Sequence, residues 1–83
     1  MKKQELLRRV LAGSTKNVGF REMVALVEAF GFRLSRVSGG HHIFAHEEMP
    51  ELVNLQEVGG KAKPYQIRQF LKLVERYNLK IGD

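Results

Sequence analysis

The chemically versatile side chains of this chain are concentrated in His41-His42-Ile43-Phe44-Ala45-His46, which holds all three of its histidines within six positions. Imidazole can exchange a proton near neutral pH and can also ligate a metal, so both chemistries have to be weighed. On a helix, His42 and His46 would share a face and could chelate. The preceding Gly39-Gly40 pair and the Ile43-Phe44 centre instead predict a strand that follows a tight turn. In a strand His42 and His46 stand roughly 13 Å apart and His41 points to the opposite face, an arrangement that one ion cannot bridge. Neither a metal site nor a cofactor is expected.

Strand parity assigns the remaining roles. Phe44 is the bulkiest apolar group of the segment and is expected to face the core, which carries His42 and His46 to its side and leaves His41 on the open face with Ile43 and Ala45. Two glycines directly before it let a phosphate approach the backbone, so His41 is the candidate proton-transfer group. The same spacing fits an ordinary surface histidine. His42 is expected to be partly buried with its nitrogens bonded to backbone or side chains, and His46 to interact with Glu47 or Glu48.

Other chemistries are excluded by composition or spacing. The chain has no Cys, which removes disulfides, thiolate metal sites and a cysteine nucleophile. Gly59-Gly60-Lys61-Ala62 lacks the spacing of a nucleotide-binding phosphate loop, and Ser14, Ser35 and Ser38 lack the context of a nucleophile elbow. At 83 residues, 43% hydrophobic and 28% charged, the chain is one small domain with little apolar surface to spare for a deep ligand pocket.

Charge supplies the second signal. Fourteen Lys and Arg against nine Asp and Glu give a net charge of +5, which makes a nucleic acid the first partner to consider. Lys61 and Lys63 precede the last helical stretch, and Arg68, Lys72 and Arg76 follow at helical spacing as one solvent-facing ridge. With the helix start, such a ridge suits phosphate, although a solvated helix face has the same pattern. The Phe residues all have core positions, which leaves Tyr65 and Tyr77 for stacking and gives little support to reading of splayed bases. The longest apolar runs are far too short to span a bilayer, and Lys2-Lys3 is followed by polar Gln4 and Glu5, so a cytoplasmic protein without membrane contact is expected.

These residues must be positioned by a small set of elements. Leu6, Leu7, Val10 and Leu11 predict a short helix over 5–12, ended by Gly13-Ser14, and Phe20, Met23, Val24, Val27 and Phe30 a second that stops at Gly31. From Phe32 the period becomes two, giving a strand, the Gly39-Gly40 turn, the histidine strand, an acidic turn over Glu47-Glu48-Met49-Pro50 and a third strand over 51–57. Gly59 to Lys63 reads as a flexible basic loop. Pro64 opens a third helix on the Ile67, Phe70, Leu71 and Val74 stripe. The expected fold is α+β, a three-stranded antiparallel sheet with helices packed on one face.

Ser38-Gly39-Gly40-His41-His42-Ile43-Phe44-Ala45-His46, set between a helix ending Phe30-Gly31-Phe32 and a Lys-Pro-initiated C-terminal helix, resembles the HicA-type toxins of bacterial and archaeal toxin-antitoxin systems. The resemblance covers roughly Phe20 to Tyr77. It implies a fold similar to the double-stranded-RNA-binding domain and a ribosome-independent endoribonuclease that cleaves mRNA and is inhibited by a HicB-type antitoxin, and proton transfer by a histidine needs no metal for that cleavage. The family's essential histidine maps onto His41; the open turn and the charge pattern, not the family, make Gly39, Gly40, Lys61, Lys63, Arg68, Lys72 and Arg76 the candidate RNA contacts. Gly40 stands where serine is commoner, and Glu47 to Glu51 where a Pro-Gly turn is usual. Residues 1–18 form an N-terminal helical extension ahead of a 19–83 domain, which packs on the core or mediates self-association. The rival reading is a non-catalytic RNA-binding domain of the same fold.

Overall fold

The structure is a computed structural model and describes residues 2–82. Its order is α1 (Lys2–Leu11), α2 (Phe20–Ala29), β1 (Arg33–Ser38), β2 (His41–His46), β3 (Met49–Val58), β4 (Lys61–Ala62) and α3 (Pro64–Tyr77). The strands form one antiparallel sheet in the order β1-β2-β3-β4, with helices on one face, so the α+β architecture holds with one strand more than expected. No helix among the described residues is long and apolar enough to cross a membrane.

Each helix ends where its sequence stops supporting it. Past α1, Gly13 adopts φ 98°, which lets its N–H reach the Val10 carbonyl (3.0 Å) and the Ser14 N–H the Arg9 carbonyl (3.1 Å), the paired closure of a Schellman motif. Asn78, left-handed at φ 51°, ends α3 in the same way, with the Leu79 N–H on the Val74 carbonyl at 2.9 Å. At the start of α2 the Glu22 carboxylate turns back to accept the Gly19 N–H at 3.1 Å, satisfying a donor that the helix itself leaves free. α1 begins three residues earlier than its apolar spacing predicts, because Lys2 to Gln4 add an exposed turn with no apolar residue to announce it.

One apolar core lies between helices and sheet. Phe44, Val53 and Leu55 come from the sheet, Met23, Leu26 and Val27 from α2, Ile67 and Phe70 from α3, and Phe32 from the entry to β1. Phe70 meets Phe30 and Phe32 edge to face, with ring centroids 5.4 and 5.8 Å apart, the preferred aromatic geometry. The N-terminal extension belongs to this core. Leu6, Val10, Thr15 and Val18 are buried, and α1 packs against α2.

Two of the expected loops are sheet instead. Gly59 to Lys63 is not a flexible loop: Gly59 and Gly60, at φ 58° and 78°, make a tight hairpin turn, and Lys61-Ala62 is the short strand β4, paired with Val58 and Glu57. β4 is also fixed from its other side, where the Ala62 N–H donates to the Val18 carbonyl (3.0 Å) and the Phe20 N–H to the Gly60 carbonyl (2.9 Å). The acidic turn is only Glu47-Glu48, since Met49 and Pro50 already belong to β3. The β2–β3 register slips between Phe44 and His46, opposite the stretch of β3 that contains Pro50, where a missing N–H is tolerated.

β3 and α3 are joined by a polar clamp. The Glu51 carboxylate accepts from Arg76 at 3.1 Å and from the Tyr77 hydroxyl. That Tyr77 bond chiefly holds the Glu51 carboxyl below its ordinary range, with Arg76 adding to it and partial burial opposing, and it raises the Tyr77 phenol.

Two outcomes are expected. Val10→Ala removes two buried methyl groups from the contact of the extension with the core and should lower unfolding free energy by about 1 to 3 kcal/mol in urea titrations; unchanged stability would mean that α1 is dispensable. Because the folded carboxyl of Glu51 titrates lower than the unfolded one, its stabilisation is present above about pH 4.3 and is lost as the pH falls through the folded value. Stability followed from neutral to acid pH should therefore drop less steeply for Glu51→Gln than for wild type, and superimposable profiles would show that the clamp contributes nothing.

Candidate nucleic-acid interface

The Gly39-Gly40 turn that precedes the histidines requires positive φ at both central positions (56° and 83°), which glycine adopts without a steric penalty. A serine at position 40 would meet no neighbour, but it would be strained by that φ. Both glycines sit exposed at the tip of the β1–β2 hairpin, and His41 is the first residue beyond it.

Parity along β2 runs as expected. Phe44 is buried, 1% exposed, and His42 and His46 are on its side, packed edge-on against Phe20 (4.8 Å between centroids) and Phe32 (5.0 Å). His46 is fully engaged, its Nε2 lying 3.2 Å from the Phe30 carbonyl and its Nδ1 accepting the Glu48 backbone N–H at 3.1 Å, so its acidic-turn partner is backbone and not a carboxylate. His42 departs from expectation. Its Nδ1 is buried yet finds no hydrogen-bond partner among the described residues, and the ring is held by packing against Phe20. The histidines thus serve separate contacts, and no group of three or more His, Cys, Asp or Glu among the described residues could hold a metal ion.

His41 lies on the other face. Its register partners are Ser38 on β1 and Gln56 on β3, while Ile43, two residues along, lies between Arg36 and Asn54. Directly opposed residues share a face, so Ser38, Arg36, Asn54 and Gln56 surround the imidazole. The Asn54 amide oxygen is 3.1 Å from His41 Nδ1. Arg33, Arg36 and Ser38 are exposed, and His41 is half-buried.

Arg36 and Asn54 were not singled out by the sequence. Simple alternation from Phe32 would put Arg36 and Ser38 on the helix side; an extra residue in β1 between Leu34 and Arg36 reverses the parity and turns both to the His41 face. Nothing in the residue pattern marks that bulge. Asn54 had a usable signal, since it stands between the core residues Val53 and Leu55 and alternation alone sends it to the open face.

The five basic candidates do not form one ridge. Lys61 alternates with buried Ala62 and so lies toward the open face, where its ammonium donates to the Asn17 amide oxygen at 3.0 Å. Lys63 is the residue that caps α3. Arg68 turns toward α1, with Nη1 3.5 Å from Thr15 Oγ1. Arg76 is paired with Glu51, a countercharge from β3 that helix spacing could not reveal. Lys72 and Arg76 share with Asn54 and Gln69 a groove of about 320 Å³ between β3 and α3.

An open sheet face with one half-buried imidazole, an amide on its Nδ1 and the exposed Arg36 beside it suits an anionic, phosphate-bearing ligand. The family model for the HicA toxin of bacterial toxin-antitoxin systems matches residues 20–75, about two thirds of the chain. No curated protein matches the chain. The match spans α2, the hairpin that carries the histidines and nearly all of α3, and by it this chain belongs to the HicA toxin family, the toxin partner of an antitoxin.

Proposed function

We propose that this toxin is a metal-independent endoribonuclease that cleaves mRNA with His41 and is held inactive by a HicB-type antitoxin. The observation that carries the reading is the placement of His41 on the open sheet face, between Ser38 and Arg36 of β1 and Asn54 and Gln56 of β3, in a chain of a toxin family. RNA carries its own nucleophile. His41 takes the proton of a ribose 2′-hydroxyl, the 2′ oxygen forms a bond to the adjacent phosphorus, and the bond from phosphorus to the 5′ oxygen breaks. The electron pair leaves with that oxygen, which takes a proton from water, so the products are a 2′,3′-cyclic phosphate and a 5′-hydroxyl.

Arg36 is the cation best placed to stabilise the phosphoryl oxygens, because it shares the face of His41 and its planar guanidinium can donate to two oxygens at once. Gly39 and Gly40 leave the turn open to the backbone of the strand. Lys61 on the open side and Lys72 and Arg76 in the β3–α3 groove extend the phosphate path, with Lys63 and Arg68 as its outlying contacts. A positioned base contributes about 100- to 10,000-fold in rate, sufficient for a toxin that need only outpace mRNA renewal.

His41→Ala should abolish cleavage of RNA and growth inhibition while RNA affinity and thermal stability stay near wild type; a variant that still cuts at matched soluble levels removes the assignment. Wild-type protein that binds RNA and never cuts it would instead establish a binding-only domain. Arg36→Gln should flatten the dependence of log affinity on log salt by about 0.7 for single-stranded RNA, the value of one phosphate contact. Lys2→Gln, which changes net charge equally but lies on α1, should leave that slope almost unchanged. Equal slopes for the two variants would mean that RNA is gripped away from the open face.

A further inference from the structure

We infer that Asn54 is the positioning residue of the site: its amide oxygen fixes the proton of His41 on Nδ1 and so keeps Nε2 free to act as the base. The inference rests on the ribonuclease reading and adds to it the device that makes His41 a base and not merely an exposed imidazole. A neutral imidazole has one N–H and one lone pair, and which nitrogen holds the hydrogen is set by what the other one meets. In His41 the Nδ1 atom lies 3.1 Å from Asn54 Oδ1, an oxygen that can only accept. The hydrogen therefore sits on Nδ1.

The other nitrogen is free. His41 Nε2 makes no hydrogen bond among the described residues, and the only buried side-chain nitrogen or oxygen left without a partner there is His42 Nδ1, so His41 Nε2 is open to solvent. That is the lone pair a 2′-hydroxyl can reach. His42, one residue along, has the reverse arrangement, with its unpartnered nitrogen buried.

The support is rigid. Asn54 is paired with Ile43 of β2 and is flanked along β3 by Val53 and Leu55, 3% and 0% exposed, so its backbone cannot shift without disturbing the core. The residue type also matters. An amide supplies the acceptor without a charge, whereas a carboxylate in the same place would repel the phosphates of the substrate and draw a second proton onto the imidazole. Asn54 further lines the groove that holds Lys72 and Arg76, so a charge there would also offset those cations.

Ring-nitrogen NMR on uniformly labelled protein, at a pH where imidazole is neutral, reads the tautomer independently of activity. Wild-type His41 should show a protonated Nδ1 and a lone-pair Nε2. Asn54→Leu, which keeps the bulk and removes the acceptor, should lose that preference and lower kcat by roughly 10- to 100-fold with RNA affinity unchanged. Asn54→Asp should retain the Nδ1–H tautomer and raise KM. The His42 and His46 resonances should stay in place in both variants, which reports an intact fold. A wild-type His41 protonated on Nε2, or an Asn54→Leu protein with undiminished kcat, overturns the inference. Cleavage that depends on His41 but is indifferent to Asn54 defeats the positioning role alone, whereas a wild-type protein that cleaves no RNA defeats the ribonuclease reading and the positioning role with it.

Discussion

Side-chain alternation along β2 is the constraint on which the rest of this molecule depends. Phe44 must be buried, and a strand that buries it has no freedom over its neighbours. His42 and His46 then go to the helix side, where they pack on Phe20 and Phe32, and His41 is delivered to the opposite face whether or not any chemistry is needed there. A slip of one residue would exchange every role. The slip is opposed from both sides, since the Gly39-Gly40 turn fixes the register with β1 and the pairing of Phe44 with Val53 fixes it with β3.

Packing and the proposed chemistry fall on two faces of the sheet, which is how so small a domain could carry both. A chain of 83 residues buries little core, so it cannot give up apolar positions for a pocket. The helices pack on one face of the sheet, leaving its β1 side, with Leu34 and Val37, exposed, and α1 adds Leu6 and Val10 to the common core. The other face needs no enclosure. In the proposed reading, phosphate is recognised from the surface by cations, and a base attached to a rigid strand acts on a nucleophile that RNA itself brings. The cations are correspondingly dispersed over β1, β4 and α3, on elements whose places are set by the core.

Much of this was legible in the residues. The stripes Met23-Val27 and Ile67-Phe70-Val74 mark α2 and α3, the glycine pair marks the hairpin, and parity with Phe44 sorts the three histidines correctly. What was missed has physical causes. β4 is too short for any alternation to show and exists because the backbone of Val18 and Phe20 pairs along its outer side with Ala62 and Gly60. β3 runs through Pro50, normally a breaker, because the register is already irregular there. The bulge in β1 that turns Arg36 toward His41 leaves no mark in residue type. Arg76 looked like part of a free ridge because its partner, Glu51, lies 25 residues away and only the fold brings them together.

The central claim is that the open face performs chemistry with the substrate's own hydroxyl, and a single atom of the substrate tests it. Once the cleaved position in an RNA is mapped, the same strand is prepared with one 2′-deoxy nucleotide on the 5′ side of the scissile phosphate. Cleavage at that position should disappear while affinity and cleavage elsewhere on the strand are retained, because the attacking oxygen alone has been removed and the contacts with Arg36 and the neighbouring cations remain. Undiminished cleavage at the deoxy position would contradict the account, since the nucleophile would then have to come from water or from the protein.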